Sequence, residues 1–494
     1  MIYVRALPFI IFRDYPDYGY LTDNRNMGYD TASHSGYKVG DLLISKTGSI
    51  FYLQIQQSYQ SIEQIADRLL SIFENVSKSQ VLSDARDFYL SLGKQGFVQI
   101  SETPNNDSDY PVCFSYDNRN PIILPETAGN DAFVFDDAFG GEYRLTRVHI
   151  DVSSLCNERC IHCYIPNRNK RGVMSEVLFN SIVEQCRAIN VINITISGGE
   201  PLMNSNIIPF LRKCRELNFS INLLTNLTLL TDELIEEFTN NPLLSIQTSL
   251  YALKEDVHDQ ITGKIGSFTK TMNAILTLHA KNVPMQINCP ILKQNIHEYK
   301  DVIQWALDRN IESSCDFMLY GCYDSSLSNL ACRLNLSEAD VVLTEICKDE
   351  IMLQRMIASI KEKRIGQQEK ICPVCQSSLC ISNNGDVYPC EGWQRLKIGN
   401  VNEISIQKIW NESPVVSKLR NLKYQDFPKC SFCQNKKYCT TCLIMNANED
   451  PNGNYSQVNT YMCEVAKLKK HKLQSYCNCP ISTSPAKITI FSTV

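Results

Sequence analysis

The chain has 494 residues, with 48 lysines and arginines against 53 aspartates and glutamates. That length allows about three domains and a sizeable core, while a net charge of −5 gives no ground for a nucleic-acid partner or an anionic membrane surface. No apolar run approaches a membrane span, and Arg5, Pro8, Arg13 and Asp14 break the greasy stretch near the N-terminus, so the chain reads as cytoplasmic.

Its 22 cysteines are the feature to explain, because thiols in a reducing compartment point to metal or redox chemistry rather than disulfides. Residues 1–155 hold one, Cys113, and eleven fall between Cys372 and Cys479. The expected division is a head over 1–105, a linker over 106–141, a middle domain over 142–365, a cysteine-rich domain over 366–480 and a tail over 481–494.

In chain order, the head opens with aromatic-rich extended stretches. A hairpin is expected from Asp41–Lys46 and Ile50–Gln54, turning through Thr47-Gly48. Ser61 and Gln64 form a capping box that starts a helix with Ile62, Ile65, Ala66, Leu69, Ile72 and Phe73 on one face. A second helix carries Leu82, Ala85, Phe88, Tyr89 and Leu92 and ends at Gly93, before a strand over Phe97–Ile100. The order is winged-helix-like, although an ordinary small α+β domain shares the pattern. Residues 101–141 hold eight acidic residues, four prolines and one basic residue, Arg119, a composition that suits a surface tether.

From Leu145 to about Arg364, β-branched runs alternate with amphipathic helices. Strands are expected at Val148–Val152, Asn193–Ile196, Ser220–Leu224, Leu244–Ser249, Met285–Cys289 and Ser314–Leu319. Helices between them include Glu176–Ile189, Asp232–Thr239 and Phe268–Ala280. Six such units give an α/β fold with a parallel sheet, either a partial barrel or a doubly wound one. In a barrel, chemistry sits on the loops after the strands. The first of these loops holds Cys156, Cys160 and Cys163 in C-x3-C-x2-C spacing, which fits a catalytic zinc or a [4Fe–4S] cluster with one iron left free. The second reads Ser197-Gly198-Gly199-Glu200-Pro201, where paired glycines permit close backbone approach and Glu200 offers charge to a ligand ammonium.

Together these two loops resemble the radical S-adenosylmethionine superfamily over about residues 145–365. The resemblance implies a partial (β/α)6 barrel of the TIM type, a [4Fe–4S] cluster on Cys156, Cys160 and Cys163, and S-adenosylmethionine chelated by its free iron. It places His162 near the adenine and Gly198, Gly199, Glu200 and Pro201 at the cofactor's amino group. Asn226 belongs to the Thr225–Leu229 stretch, where the family usually has glycine at the position of Leu227. Gln247 and Ser249 stand where the family commonly reaches the ribose. The implied chemistry is reductive cleavage to a 5′-deoxyadenosyl radical that abstracts hydrogen from carbon.

The tail reads Cys372-x2-Cys375, Cys390, Cys430-x2-Cys433-x5-Cys439-x2-Cys442 and Cys463. Alone it fits two zinc ribbons equally well. With the upstream triplet it resembles the SPASM extension, which implies two auxiliary [4Fe–4S] clusters. One would rest on Cys372, Cys375, Cys390 and Cys442, the other on Cys430, Cys433, Cys439 and Cys463. The family's usual last spacing is one residue longer, which leaves Cys380, Cys477 and Cys479 as substitutes for Cys442. Glu391 follows Cys390 where sulfatase-maturing relatives carry an aspartate, and is the candidate general base.

The head resembles the elements that bind leaders of ribosomally made peptides by strand addition, with Phe88 and Tyr89 as core or groove wall. The expected function is thus a peptide maturase that forms a crosslink, with a thioether favoured over carbon–carbon or carbon–oxygen bonds. Its implied partners are a precursor peptide and a flavodoxin- or ferredoxin-type reductant. Oxidation of Ser or Cys to formylglycine, and a non-catalytic zinc-binding peptide adaptor, are the alternatives.

Overall fold

The computed structural model describes residues 1–29, 40–104 and 143–476. The expected linker, Cys113, Cys477 and Cys479 lie outside these residues.

The head holds β1 (Tyr3–Ala6), β2 (Ile10–Asp14), β3 (Tyr18–Asp23), β4 (Leu42–Ser45), β5 (Gln60–Ser61) and β6 (Val98–Ser101). They form two antiparallel three-stranded sheets, β2-β3-β4 and β5-β1-β6. A separate core of Ile62, Ile65, Ala66, Leu69, Tyr89, Phe97 and their neighbours unites them. The capping box at Ser61 forms as expected, each partner accepting the other's backbone N–H.

Two expectations for the head fail. Residues 46–52 form a helix, not the second arm of a hairpin, because Ser45 caps it by accepting from the Gly48 N–H. Phe51 and Tyr52 then pack against Phe88 and Phe12. The second helix also runs past Gly93 to Gln95 and ends at Gly96, whose φ of 82° supplies the left-handed C-cap that glycine adopts without a Cβ penalty. Tyr89 is fully buried and donates to the Phe51 carbonyl at 2.7 Å, so it is core.

The middle of the chain builds β7 (Arg147–Ser153), β8 (Asn193–Gly198), β9 (Ser220–Leu224), β10 (Leu244–Ser249), β11 (Met285–Pro290) and β12 (Glu312–Asp316). The last begins and ends earlier than the expected Ser314–Leu319. The six lie side by side in chain order, all parallel. An unbroken order winds as a barrel wall; a doubly wound sheet would reverse direction. Val148, Ile150 and Val152 join Phe179, Ile182 and Val183 in the main core, so the alternate residues His149, Asp151 and Ser153 face the barrel interior.

The cysteine-rich region extends this sheet. β13 (Ser378–Ile381) pairs parallel with β7, and β14 (Asp386–Tyr388) and β15 (Gly399–Asn400) continue it antiparallel. The register sets Cys380 opposite His149.

The head packs on the N-terminal ends of the barrel strands. The Phe12 N–H donates to Asn218 at 2.8 Å, Arg13 to the Val191 carbonyl at 2.7 Å, and Asn24 to the Pro242 carbonyl at 3.2 Å. Arg13 is fully buried there, over the Phe219 ring. The Tyr29 hydroxyl reaches Gln247 at 3.3 Å and Asn222 at 3.5 Å.

Candidate active site

The C-terminal ends of β7 to β10 bring the sequence motifs together. The loop after β7 carries Cys156, Cys160 and Cys163, all partly buried. Burial pushes Cys156 up to about 11. Burial raises Cys160 further, followed by the charges of Glu158, Cys163 and Cys156. Thiols raised by burial beside one another suit a site where a bound cation would hold them as thiolates. The fit extends to two buried atoms aimed at no protein partner, Glu158 Oε1 and His162 Nδ1.

The glycine pair works against this loop. A Cβ on Gly198, whose φ is +130°, would stand 2.0 Å from the Ser153 carbonyl oxygen, and one on Gly199 would stand 2.3 Å from that of Leu155. Freed of side chains, the Gly199 and Glu200 N–H groups donate to those same oxygens at 2.7 Å each. The glycines therefore seat the cysteine loop on β8.

Glu200 is 1% exposed. Its carboxylate accepts from the Thr225 hydroxyl at 2.6 Å, the Asn226 N–H at 2.8 Å and the Leu202 N–H at 3.0 Å. Two of these three partners are in the Thr225–Asn226 loop. Asn226 donates onward to Asn157 at 2.9 Å, and Asn157 donates to Thr228 at 2.6 Å, latching that loop to the cysteine loop. Leu227 holds φ +61°, the conformation glycine usually provides there, at a cost of roughly 1 kcal/mol.

Glu200→Gln should cost about 1–3 kcal/mol, since its amide group would confront one of those donors. Burial lifts Glu200 from 4.5 to about 7. A raised carboxyl contributes stability that is complete below the unfolded value and lost as pH rises through the folded one. Wild-type urea midpoints should thus carry a fall between about pH 4.5 and 7 that the Gln variant lacks.

His162 is pushed down to about 4 by burial, so it is neutral at pH 7. Its Nε2 lies 3.3 Å from the Tyr251 hydroxyl, and Ser249 bonds to the same tyrosine. Ser249 thus stands at the cysteine loop, whereas Gln247 lies one pleat lower and is met by Tyr29.

The tail cysteines lie in two neighbourhoods. Burial and then Glu391, Cys442 and Cys372 raise Cys390; Cys372 also acts on Cys442 and Cys375. Burial and then Cys439, Cys463 and Cys433 raise Cys430. Cys380 instead points at His149 and Asp151, the three donor atoms lying within 4.8 Å of one another. Cys390 donates to Glu391 at 3.1 Å.

Sequence reasoning missed the side chains between the two ends of this site. Tyr320 is raised by burial and then by Glu391, Cys390, Cys442 and Cys163, so it stands between the cysteine loop and the first tail group. Tyr164 packs on Tyr320 with ring centroids 5.1 Å apart. His149 meets Asp151 at 3.1 Å, and Gln394 donates to Asp151 at 2.8 Å. The alternation of polar His149, Asp151 and Ser153 with apolar residues along β7 was the available signal. On the outer side of the loop a cavity of about 680 Å³ is lined by Arg159, Cys160, Cys163, Arg168 and Cys322.

Comparison with known proteins agrees with this geometry. The model of the radical SAM superfamily matches residues 150–306, and that of an iron–sulfur cluster-binding domain, SPASM, matches 372–442. An AdoMet-dependent heme synthase of Methanosarcina barkeri is 24% identical over 59% of this chain and 89% of its own. A PqqA peptide cyclase of Rhodopseudomonas palustris is 23% identical over 59% and 79%. Among solved structures, Streptococcus suis SuiB bound to its precursor peptide SuiA covers 93% of this chain and 99% of its own, with a TM-score of 0.56 at 16% identity. The maturase anSMEcpe with AdoMet and a peptide covers 67% and 98%, with a TM-score of 0.52 at 16% identity.

Residues 150–306 are thus a radical SAM domain, and the protein that carries it is an enzyme. Within that class the chain bears a C-terminal SPASM domain. Its cofactors are S-adenosylmethionine and a [4Fe–4S] cluster in the barrel and auxiliary iron–sulfur clusters in the tail, so zinc ribbons are set aside. Among the described residues no helix is long and apolar enough to cross a membrane.

Proposed function

We propose that this enzyme modifies a ribosomally made precursor peptide by forming a crosslink within it. The observation that carries this reading is the likeness to precursor-bound SuiB, which extends over head, barrel and tail together. Cys156, Cys160 and Cys163 would hold the cluster that engages S-adenosylmethionine. Cys372, Cys375, Cys390 and Cys442 would hold one auxiliary cluster, and Cys430, Cys433, Cys439 and Cys463 the other. Reductive cleavage of S-adenosylmethionine, with the electron from a flavodoxin- or ferredoxin-type protein, supplies a 5′-deoxyadenosyl radical.

The protein's own residues do the rest. Glu200, Asn226 and Asn157 fix the cysteine loop, while neutral His162 and Tyr251 pack beside it. Gly198, Gly199, Pro201 and Ser249 shape the cofactor's end of the barrel, with Gln247 one pleat below. Tyr164 and Tyr320 shield the space between cysteine groups from water. Glu391, beside Cys390 and facing that space, takes the proton from the reacting residue. The head binds the leader at the outer edge of β4, unpaired among the described residues; main-chain bonds supply the affinity. A thioether from cysteine sulfur is the favoured product, ahead of carbon–carbon and carbon–oxygen links. Formylglycine formation needs no leader and is the competing outcome.

The test is anaerobic co-expression with a small precursor encoded nearby, followed by tandem mass spectrometry. The expected product is lighter by two hydrogens, and deletion of the leader should abolish it. An unmodified precursor despite S-adenosylmethionine cleavage overturns crosslinking for that peptide. Full activity on a leaderless peptide, yielding formylglycine, favours the competitor. Deleting the head is a poorer test, because it uncovers the barrel ends where Arg13 is buried.

A further inference from the structure

One surface of the tail is left without a task. Phe432, between Cys430 and Cys433, is 80% exposed. Lysines ring it. Lys436 donates to the Ser431 carbonyl at 2.8 Å, and Lys363 donates to the Cys439 carbonyl. Lys467 lies one helical turn after Cys463, close enough to Cys463 and Cys433 for both to raise it. Lys429 is exposed beside Cys430, and Lys437 follows Lys436. Only Lys467 has an acidic partner among the described residues, Glu464 at 2.6 Å. In a chain of net charge −5, this is a local reversal of sign directly above four clustered thiols.

We infer that this patch docks an acidic one-electron carrier protein of the flavodoxin or ferredoxin type, with Phe432 as its apolar anchor. The inference rests on the reading of Cys430, Cys433, Cys439 and Cys463 as iron–sulfur ligands. Complementary charge selects and speeds such a partner, and a few lysines around one ring suit a small, quickly exchanging redox contact. The outer face of the cysteine loop suits it less. There Arg168 is already paired with Asp324 at 2.7 Å, and Glu255, Asp256 and Asp259 line the neighbouring hollow. The electrons balance as follows. Crosslinking removes two electrons and two protons from the peptide. One electron and one proton's worth leave as the hydrogen atom taken by the 5′-deoxyadenosyl radical. The second electron passes to the docked carrier, taking oxidised flavin to its semiquinone, and the second proton goes to a base.

The experiment uses the full, anaerobically reconstituted enzyme and an acidic flavodoxin, with no precursor present, so its outcome is independent of whether crosslinking is the reaction. Zero-length carbodiimide crosslinks should map to Lys429, Lys436, Lys437 and Lys467. The double variant Lys436→Glu, Lys437→Glu should raise the Kd roughly tenfold, and Phe432→Ala should raise it severalfold. Both should keep wild-type iron content and dithionite-driven S-adenosylmethionine cleavage. Lys264→Glu, in the acidic hollow with Glu255, Asp256 and Asp259, should leave the Kd unchanged. Crosslinks at Lys264 or Lys293 instead, or a Kd indifferent to the double variant, overturn the inference. So does displacement of the flavodoxin by a peptide of residues 106–141, which would make the chain's own acidic segment the occupant.

Discussion

Gly198→Ala is expected to abolish S-adenosylmethionine cleavage and to strip about four irons from a protein that otherwise holds roughly twelve. The new methyl would need the space of the Ser153 carbonyl oxygen, 2.0 Å away, at a φ of +130°. Neither partner can yield, because Ser153 ends β7 opposite Gly198 in the parallel ladder. Such a clash between two backbones ranks with the largest single-residue effects, about 4 kcal/mol. The same substitution at Gly266, with φ +78° and nothing within 4 Å, should cost only about 1 kcal/mol of backbone strain. Iron analysis and urea denaturation of the two variants side by side check this. Equal stability and equal iron content would show that the loop does not need the close seat.

Cys442→Ala should likewise lose about four irons and all peptide modification, while Cys380→Ala keeps its full iron. The spacing around Cys442 departs from the family's, which left Cys380 as a substitute. In the structure Cys442 lies close enough to Cys390 to raise it, and Cys372 raises both. Cys380 is fully buried on β13 and engaged with His149 and Asp151. A Cys380 variant that lost iron, beside a Cys442 variant that kept it, would reverse the assignment. Both variants should still cleave S-adenosylmethionine, since neither touches the loop after β7.

The barrel was legible because β-branched runs such as Asn193–Ile196 occur at regular spacing, and each is buried on the face it shows to the helices. The hairpin misjudged over residues 41–54 shows the limit of local pattern. Ile50, Phe51, Tyr52 and Leu53 read as strand by residue type, but the Ser45 cap and the distant Phe88 and Phe12 rings decide for helix. At the site, the cysteine and glycine spacings marked the loops, while the reason for the glycines did not show: they make room for Ser153 and Leu155, which only folding brings near. β13 was hidden for another cause. Its four residues were read for Cys380 alone, and nothing local says that the strand joins β7. Tyr164 and Tyr320 are far apart in sequence, and their shared position emerges only once the strand ends converge.

The attachment of the head to the N-terminal ends of the strands fixes a length. The cysteine loop sits at the other end, and β10, with six residues, spans about 20 Å. A peptide held by the head must cover at least that distance before it meets the radical. Fully extended, this takes about six residues, more for any detour. On the proposed reading the enzyme would act as a gauge: in a precursor held by the head, the segment between the bound leader and the first modified residue would have a minimum length. Shortening that segment below about six residues should stop modification while leaving leader affinity intact.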